Sequence, residues 1–440
     1  MTSRLCGRGL GRTALAASGL LVLSGGAPAW AGGIERVSVS STGQQANGAS
    51  FEFPSISADG RFVAFDSDAS NLAPDDNNLT NDVFVHDRKT GKTSRIRAGS
   101  RPKDFDADTV YRFPSISGDG RFVTFLSDAS NLVPGDTNDA WDIFVHDRRA
   151  GRTMRVSLGP TGAQANADSF SPSLSGDGRY VAFASNASNL VAGDTNDSPD
   201  VFVRDRLKGT TERVSVGPGG RQANGGSGTA FAPALSADGR YVAFESGATN
   251  LADGDTNGAS DVFVRDRASG TTERVSVKSD GTEAHGDSFT AAISADGRYV
   301  AFESDAADLV PGDTNGTRNV FVHDRTTGVT ERVSVGPGGR QADRDVGSPS
   351  ISGDGRFVGF DSWATNLVPG DTNGWEDAFV RDRVAGRTFR VSVGPKGRQA
   401  ELGGDTPVLS ADGRHIAFAS ASGDLVPGDT GEQDIFVRDR

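Results

Sequence analysis

The sequence predicts an all-β fold: a seven-bladed β-propeller of four-stranded antiparallel blades, its ring closed by an N-terminal strand at about residues 34–39. Three observations lead there. A unit of about sixty residues recurs seven times, and its Ala/Gly-Asp-Gly turn places aspartates at Asp59, Asp119, Asp177, Asp238, Asp296, Asp354 and Asp412. Apolar residues inside each unit run consecutively, as from Phe62 to Phe65 and from Val83 to Val85, which marks sheets covered on both faces. The last unit stops after its third strand at Arg440, and Ile34-Glu-Arg-Val-Ser-Val39 matches the fourth strand type.

Each unit resolves into four strands, a to d. Strand a is the P-S-I-S type segment ending before Asp59. The Asp-Gly pair makes a tight hairpin turn, because glycine takes the positive φ such turns need. Strand b is Arg61 to Ser67, and its Phe65 recurs as Phe125, Phe183, Phe244, Phe302, Phe360 and Phe418. Strand c is Asp82 to Arg88, and its Phe84 recurs as Phe144, Phe202, Phe263, Phe321, Phe379 and Phe436. A turn through Gly91 leads to strand d, Thr93 to Ala98, whose equivalents read T-x-R-V-S-V. The repeated phenylalanines are expected in the core, between neighbouring blades. Pairing of the N-terminal strand with the last unit would complete seven blades and remove the free sheet edge.

Residues 1–31 have the layout of a secretory leader: Arg4, Arg8 and Arg12, an apolar stretch around Leu20 to Leu23, then Ala29 and Ala31 at the −3 and −1 positions of an A-x-A cleavage site. The expected localisation is secreted or extracytoplasmic, with residues 32–440 forming one propeller. No segment is long and apolar enough for an integral membrane span. Cys6, the one cysteine, lies in the leader, so the remaining chain holds no disulfide, thiolate metal site or cysteine nucleophile. Leader removal takes the net charge from −13 to −16, which disfavours nucleic acid and anionic membrane surfaces as partners.

The motif S-[AG]-D-G-R-[FY]-V-[ATG]-F-x-S followed by D-[VI]-F-V-[HR]-D resembles the repeat of the TolB-like propellers, a WD-repeat-like group. The resemblance covers nearly all of residues 32–440 and implies the same propeller fold. The residue before Asp-Gly is Ala or Gly where the family often has Pro, the b–c connections are longer, and the additional N-terminal domain of TolB has no counterpart. TolB's partner role in the cell envelope is therefore not implied.

The a–b and c–d turns are tight, whereas the b–c connections run to about fourteen residues and the d–a connections to about twelve. In a four-stranded meander both long connections emerge on one face, and loops on a rigid scaffold are where function concentrates. The b–c loops repeat N-L-V-P-G-D-T-N-x-x-x-D, giving Asp136, Asn138 and Asp142; Asp194, Asn196 and Asp200; Asp255, Asn257 and Asp261; and Asp371, Asn373 and Asp377. Oxygen ligands at positions 1, 3 and 7 suit calcium, a hard cation; Asx-turns that stiffen the loop use the same residues. The d–a loops carry Gln164 and Asn166, Gln222 and Asn224, Glu283 and His285, and Gln341 and Asp343 near the channel mouth. Of these Gln164, Asn166, Gln222, Asn224, His285, Gln341 and Asp343 are the candidate ligand-binding face, alongside polar loop capping as the alternative. The segment with Arg101, Lys103, Asp104, Asp106 and Asp108 departs from the repeat and would individualise one sector.

Catalytic residues are not evident, and catalysis is not the expected role. His86, His146 and His323 occupy one strand-c position that holds Arg204, Arg265, Arg381 and Arg438 in other units, which suggests a solvated edge. His415 falls in strand b, and His285 is the one histidine on the long-loop face. No G-x-S-x-G or H-E-x-x-H motif is present. The expectation is a monomeric binding or scaffold module for a protein, peptide or glycan, with no required cofactor. The alternative is a propeller-type polysaccharide lyase or hydrolase, with or without a metal.

Overall fold

The computed structural model describes residues 30, 32–51, 53–74, 76, 80–96, 111–229 and 231–440. The leader up to residue 29, its alanine at 31 and the irregular segment at 101–108 lie outside these.

Seven four-stranded sheets form, six of them built from four strands consecutive in sequence. Blade 5 is representative, with Ser288–Ile293, Tyr299–Ser304, Asn319–Asp324 and Val329–Arg332 as strands a to d. Strands b and c pair antiparallel, placing Phe302 opposite Phe321. The same opposition recurs in every blade, with stacked rings 5.8–6.1 Å apart. Strands b and c are buried almost along their whole length, so both faces of each small sheet are covered. Seven apolar clusters are shared between neighbouring blades, such as the one joining Val264 and Val275 of blade 4 to Phe302 and Phe321 of blade 5. Each fully buried phenylalanine contributes about 1.5–3 kcal/mol, so the spacing that reveals the repeat also marks what holds it together.

The ring closes as the sequence predicts. Ile34–Arg36 is the fourth strand of the last blade and pairs antiparallel with Asp434–Asp439, Ile34 opposite Arg438 and Arg36 opposite Phe436. The Val37 amide adds a bond to the Ile435 carbonyl at 2.8 Å, after which the chain leaves the sheet.

The tight-turn face is built from side chains the repeat duplicates. Asp119 accepts the Ser117 hydroxyl at 2.7 Å and the Arg121 amide at 2.9 Å, closing the hairpin. Gly120 sits at φ +71°, and a Cβ there would lie 2.1 Å from Cδ2 of Phe62 in the preceding blade. Arg148 covers that ring at 4.7 Å and donates to the Gly120 carbonyl at 2.5 Å. The glycine thus serves both the turn and the close approach of two blades.

One expectation is corrected. His86, His146 and His323 are not at a solvated edge; all are buried. Each ring Nδ1 lies 2.9 Å from a strand-d threonine hydroxyl: Thr93, Thr153 and Thr330. The Thr330 hydroxyl in turn donates to the Val277 carbonyl of the preceding blade at 2.5 Å. The position is an interblade contact, which a strand read in isolation does not reveal. Arg204, Arg265 and Arg381 reach the equivalent hydroxyls of Thr211, Thr272 and Thr388, so a long donor fits wherever an imidazole does.

Candidate functional site

Strand d brings an arginine into each b–c loop. In T-x-R-V-S-V the arginine and serine are two apart and therefore share a face. In blade 2, Arg155 Nη1 donates to Asp136 Oδ1 at 2.8 Å, Asp142 Oδ2 at 2.9 Å and Gln164 Oε1 at 3.0 Å, while the Ser157 hydroxyl bonds the other Asp142 oxygen. Asn138 donates to Asp142 at 2.9 Å and to the Ala165 carbonyl at 3.1 Å. The pattern returns as Arg213 with Asp194 and Asp200, and Arg390 with Asp371 and Asp377, at 3.2–3.3 Å. Asn196 and Asn373 repeat the role of Asn138. Arg95 of blade 1 and Arg36 on the closing strand hold the corresponding pairs Asp76 and Asp82, and Asp429 and Asp434. In blade 5 Asn319 replaces the second aspartate, and Arg332 pairs with Asp313 at 2.8 Å. Burial pushes the Asp200, Asp377 and Asp434 carboxyls up, Asp434 to about 6, while serine and arginine pull them back.

Blade 4 departs from this scheme by one charge. Glu283 stands where the other described loops have glutamine, so Arg274 faces Asp255 at 3.3 Å, Asp261 at 3.2 Å and Glu283 at 2.7 Å. The three carboxylates offer oxygens within 4.8 Å of one another. Burial, and then the charge of Asp261, push Asp255 up to about 6. Burial also works upward on Glu283, but the Thr256 amide and hydroxyl and Arg274 outweigh it and hold Glu283 at about 2.

The d–a loops are bridges. Gln164 donates to the Gly135 carbonyl at 2.5 Å on the preceding blade's b–c loop. Two residues on, Asn166 exchanges bonds of 3.0 Å with Ser188 on the following blade's loop. Gln222 and Asn224 repeat this with Asp194 and Thr249, and Gln341 and Asp343 with Gly312 and Thr365. His285 takes the same bridging position: its amide and Nδ1 meet Asp308 at 2.9 and 2.8 Å, where Lys278 also reaches at 2.6 Å. The candidate binding residues therefore bridge the loops of neighbouring blades on the long-loop face.

Sequence reasoning missed the channel mouth and the exposed aromatics. Strand a is innermost, and its residue before the Pro/Ala-Ser/Ala/Val step takes positive φ in six blades: Phe53, Phe113, Ser171, Thr290, Ser348 and Thr406. Such a conformation costs a non-glycine residue roughly 1–3 kcal/mol and concentrates at functional sites. In five blades it coincides with a β-bulge, which re-aims the side chain. Equivalent positions of successive blades touch, with the Phe53 and Phe113 rings 5.6 Å apart and the Phe53 amide 3.3 Å from the Thr406 hydroxyl, so they line the axis. Buried strand-b carboxylates satisfy this backbone: Glu303 accepts the Ser348 amide at 2.8 Å and Asp361 the Thr406 amide at 2.9 Å. Burial raises the Glu303 carboxyl, and Arg318, held by Asp305 at 3.1 Å, approaches it at 3.4 Å.

Among the described residues four aromatic side chains are well exposed, and all lie toward the long loops: Phe53 and Phe113 at the mouth, Trp363 and Trp375 in the b–c loop of blade 6. The two indoles lie 6.1 Å apart, tilted by 37°. Their sequence signal was a departure from the repeat, since the equivalents of Trp363 in other blades are Asp68, Asp128, Asn186, Gly247, Asp305 and Ala421. The five histidines do not converge: three lie within separate blades, His285 meets Asp308, and His415 meets Asp439 on the tight-turn face.

No family model matches the chain, and no curated protein matches it. Solved structures do. An oligogalacturonate lyase from Vibrio parahaemolyticus is 13% identical, with 92% of this chain and 93% of that one covered at a TM-score of 0.52. The β-propeller domain of the Trilobed protease from Pyrococcus furiosus is 12% identical, covering 89% and 95% at 0.50. A putative TolB from Agrobacterium tumefaciens is 17% identical, covering 75% and 89% at 0.40. The expected seven-bladed propeller fold is the observed one; identities this low speak for fold alone.

Proposed function

We propose that this chain is an extracytoplasmic binding propeller that holds a protein, peptide or glycan ligand against its long-loop face. The observation that carries this reading is the placement of exposed aromatic surface. Trp363, Trp375, Phe53 and Phe113 lie toward the long loops, and among the described residues the large apolar side chains exposed on the tight-turn face are isolated aliphatic ones such as Leu207 and Val384. Rigid aromatic side chains supply contact area at low entropic cost, which is how binding surfaces use them. The bridged loops beneath supply a pre-organised base, so little ordering remains for the ligand to drive.

A panel of immobilised peptides and soluble polysaccharides, screened for binding and for product release, tests it. Trp363→Ala and Trp375→Ala together should weaken the best ligand at least tenfold, while Leu207→Ser and Val384→Ser on the opposite face leave it unchanged. The reverse pattern sinks the reading. Turnover abolished by substituting Glu303 or Arg318 would favour the lyase or hydrolase instead.

The aspartate-rich loops are read here as arginine clamps, since a guanidinium already sits between the carboxylates that calcium would need. A divalent ion there would face that fixed positive charge at close range. Calcium titrated into the chelated protein should give neither heat nor a melting shift. A saturable shift would restore the calcium site, with Asp255, Asp261 and Glu283 its first candidates.

A further inference from the structure

Trp30 lies inside the expected leader, immediately before the residue at which cleavage was placed, yet it is 3% exposed and belongs to the core cluster of the last two blades. Its ring meets Phe357 of blade 6 edge-on at 6.2 Å and 86°. Its carbonyl accepts Arg438 Nε at 2.9 Å.

The closing strand explains why that bond matters. In six blades the strand-c histidine or arginine is satisfied by a threonine hydroxyl on strand d, as His86 is by Thr93 and Arg204 by Thr211. The last blade has Ile34 at the threonine's register, opposite Arg438. Arg438 is buried all the same, and its donors go to the carbonyls of Trp30 and of Val393 in blade 6. A buried guanidinium stripped of a partner is costly. The equivalents of Trp30 in other blades also contrast with it: Leu207 and Val384 stand on tight c–d turns, 79% and 77% exposed. The closing strand does not follow a c–d hairpin, and Trp30 packs onto the preceding blade.

Two A-x-A steps overlap here, Ala27-Pro28-Ala29 and Ala29-Trp30-Ala31. We propose that the leader is removed at the first, between Ala29 and Trp30, and that Trp30 becomes the N-terminal residue and seals the joint between the first strand and the last two blades. The step is hydrolysis by a host leader peptidase before folding: water splits the Ala29–Trp30 amide, leaving a carboxylate on Ala29 and an α-amino group on Trp30. The proposal rests on the extracytoplasmic reading above.

The full chain, expressed with its own leader in an exporting bacterial host, answers this by intact mass and N-terminal sequencing of the exported protein. A chain beginning at Trp30 is expected. One beginning at Gly32 overturns the cleavage position while leaving export intact, and an uncut chain overturns the leader itself. Two leaderless versions, starting at Trp30 and at Gly32, test the seal: the longer should melt a few degrees higher, with Trp30→Ala falling to the shorter one's value. Equal melting of all three overturns the seal.

Discussion

A buried arginine between two carboxylates is the unit on which the long-loop face depends. Arg155 is the common partner of Asp136, Asp142 and Gln164, so its loss leaves two enclosed negative charges without their counter-ion. Arg155→Met should destabilise the protein by about 3–5 kcal/mol, since breaking a buried pair from one side strands the other. Chemical denaturation checks this, and a loss below about 1 kcal/mol would mean that the carboxylates simply protonate or rehydrate. The charge imbalance of blade 4 has its own signature. Asp255 has its folded pKa raised to about 6, against about 3.9 unfolded. Its contribution is most favourable below the unfolded value and is lost as pH rises through the folded one. Burial holds His86 and His323 low, which acts in the opposite direction, so the term is read by difference. Asp255→Asn should gain melting temperature relative to wild type between pH 4.5 and 7, and more steeply than Asp371→Asn, whose loop carries Gln399 in place of Glu283. Parallel profiles for both variants would remove Glu283 from the explanation. None of this was legible in the sequence, because the arginine lies in one element and its carboxylates in another. The R-V-S step of strand d, present in six of the seven blades with Arg95-Ile96-Arg97 in blade 1, was the available signal.

Among the elements, strands b and c were the most legible. Their phenylalanines recur at fixed distance from the Asp-Gly turn, and consecutive apolar residues have one physical meaning in a small sheet. The innermost strands were less so, because the left-handed residues at Phe53, Ser348 or Thr406 are not glycines and follow no turn motif. Their conformation depends on closeness to the axis and on Glu303 or Asp361 from the neighbouring blade, neither of which local sequence encodes. The closing strand was legible through its likeness to other d strands, although its ladder spans Ile34–Arg36, shorter than the stretch expected. Deleting residues 33–40 should lower the melting temperature by about 5 °C or more and leave Asp434–Asp439 as an unpaired edge prone to pairing with a second chain. An unchanged melting point in a monomer would show that the ring does not need this strand.

At the scale of the whole molecule, seven near-equal blades carry a nearly symmetric frame, and individuality resides in the departures: Glu283 for glutamine, Asn319 for aspartate, and the pair of exposed tryptophans in the loop of blade 6. The two faces were legible from loop lengths, but the aromatic sector of blade 6 was not, because the repeat hides single exceptions behind its regularity. The pairing of Ile34–Arg36 with Asp434–Asp439 has a temporal side as well. The first strand to be made must wait for the last before it finds its partner, and a contact spanning nearly the entire chain is the slowest kind to form. A chain cut short at any blade keeps two open edges and cannot hide them. The sticky edge is therefore hidden only once both distant strands exist, and the ring acts as its own check that every blade is present.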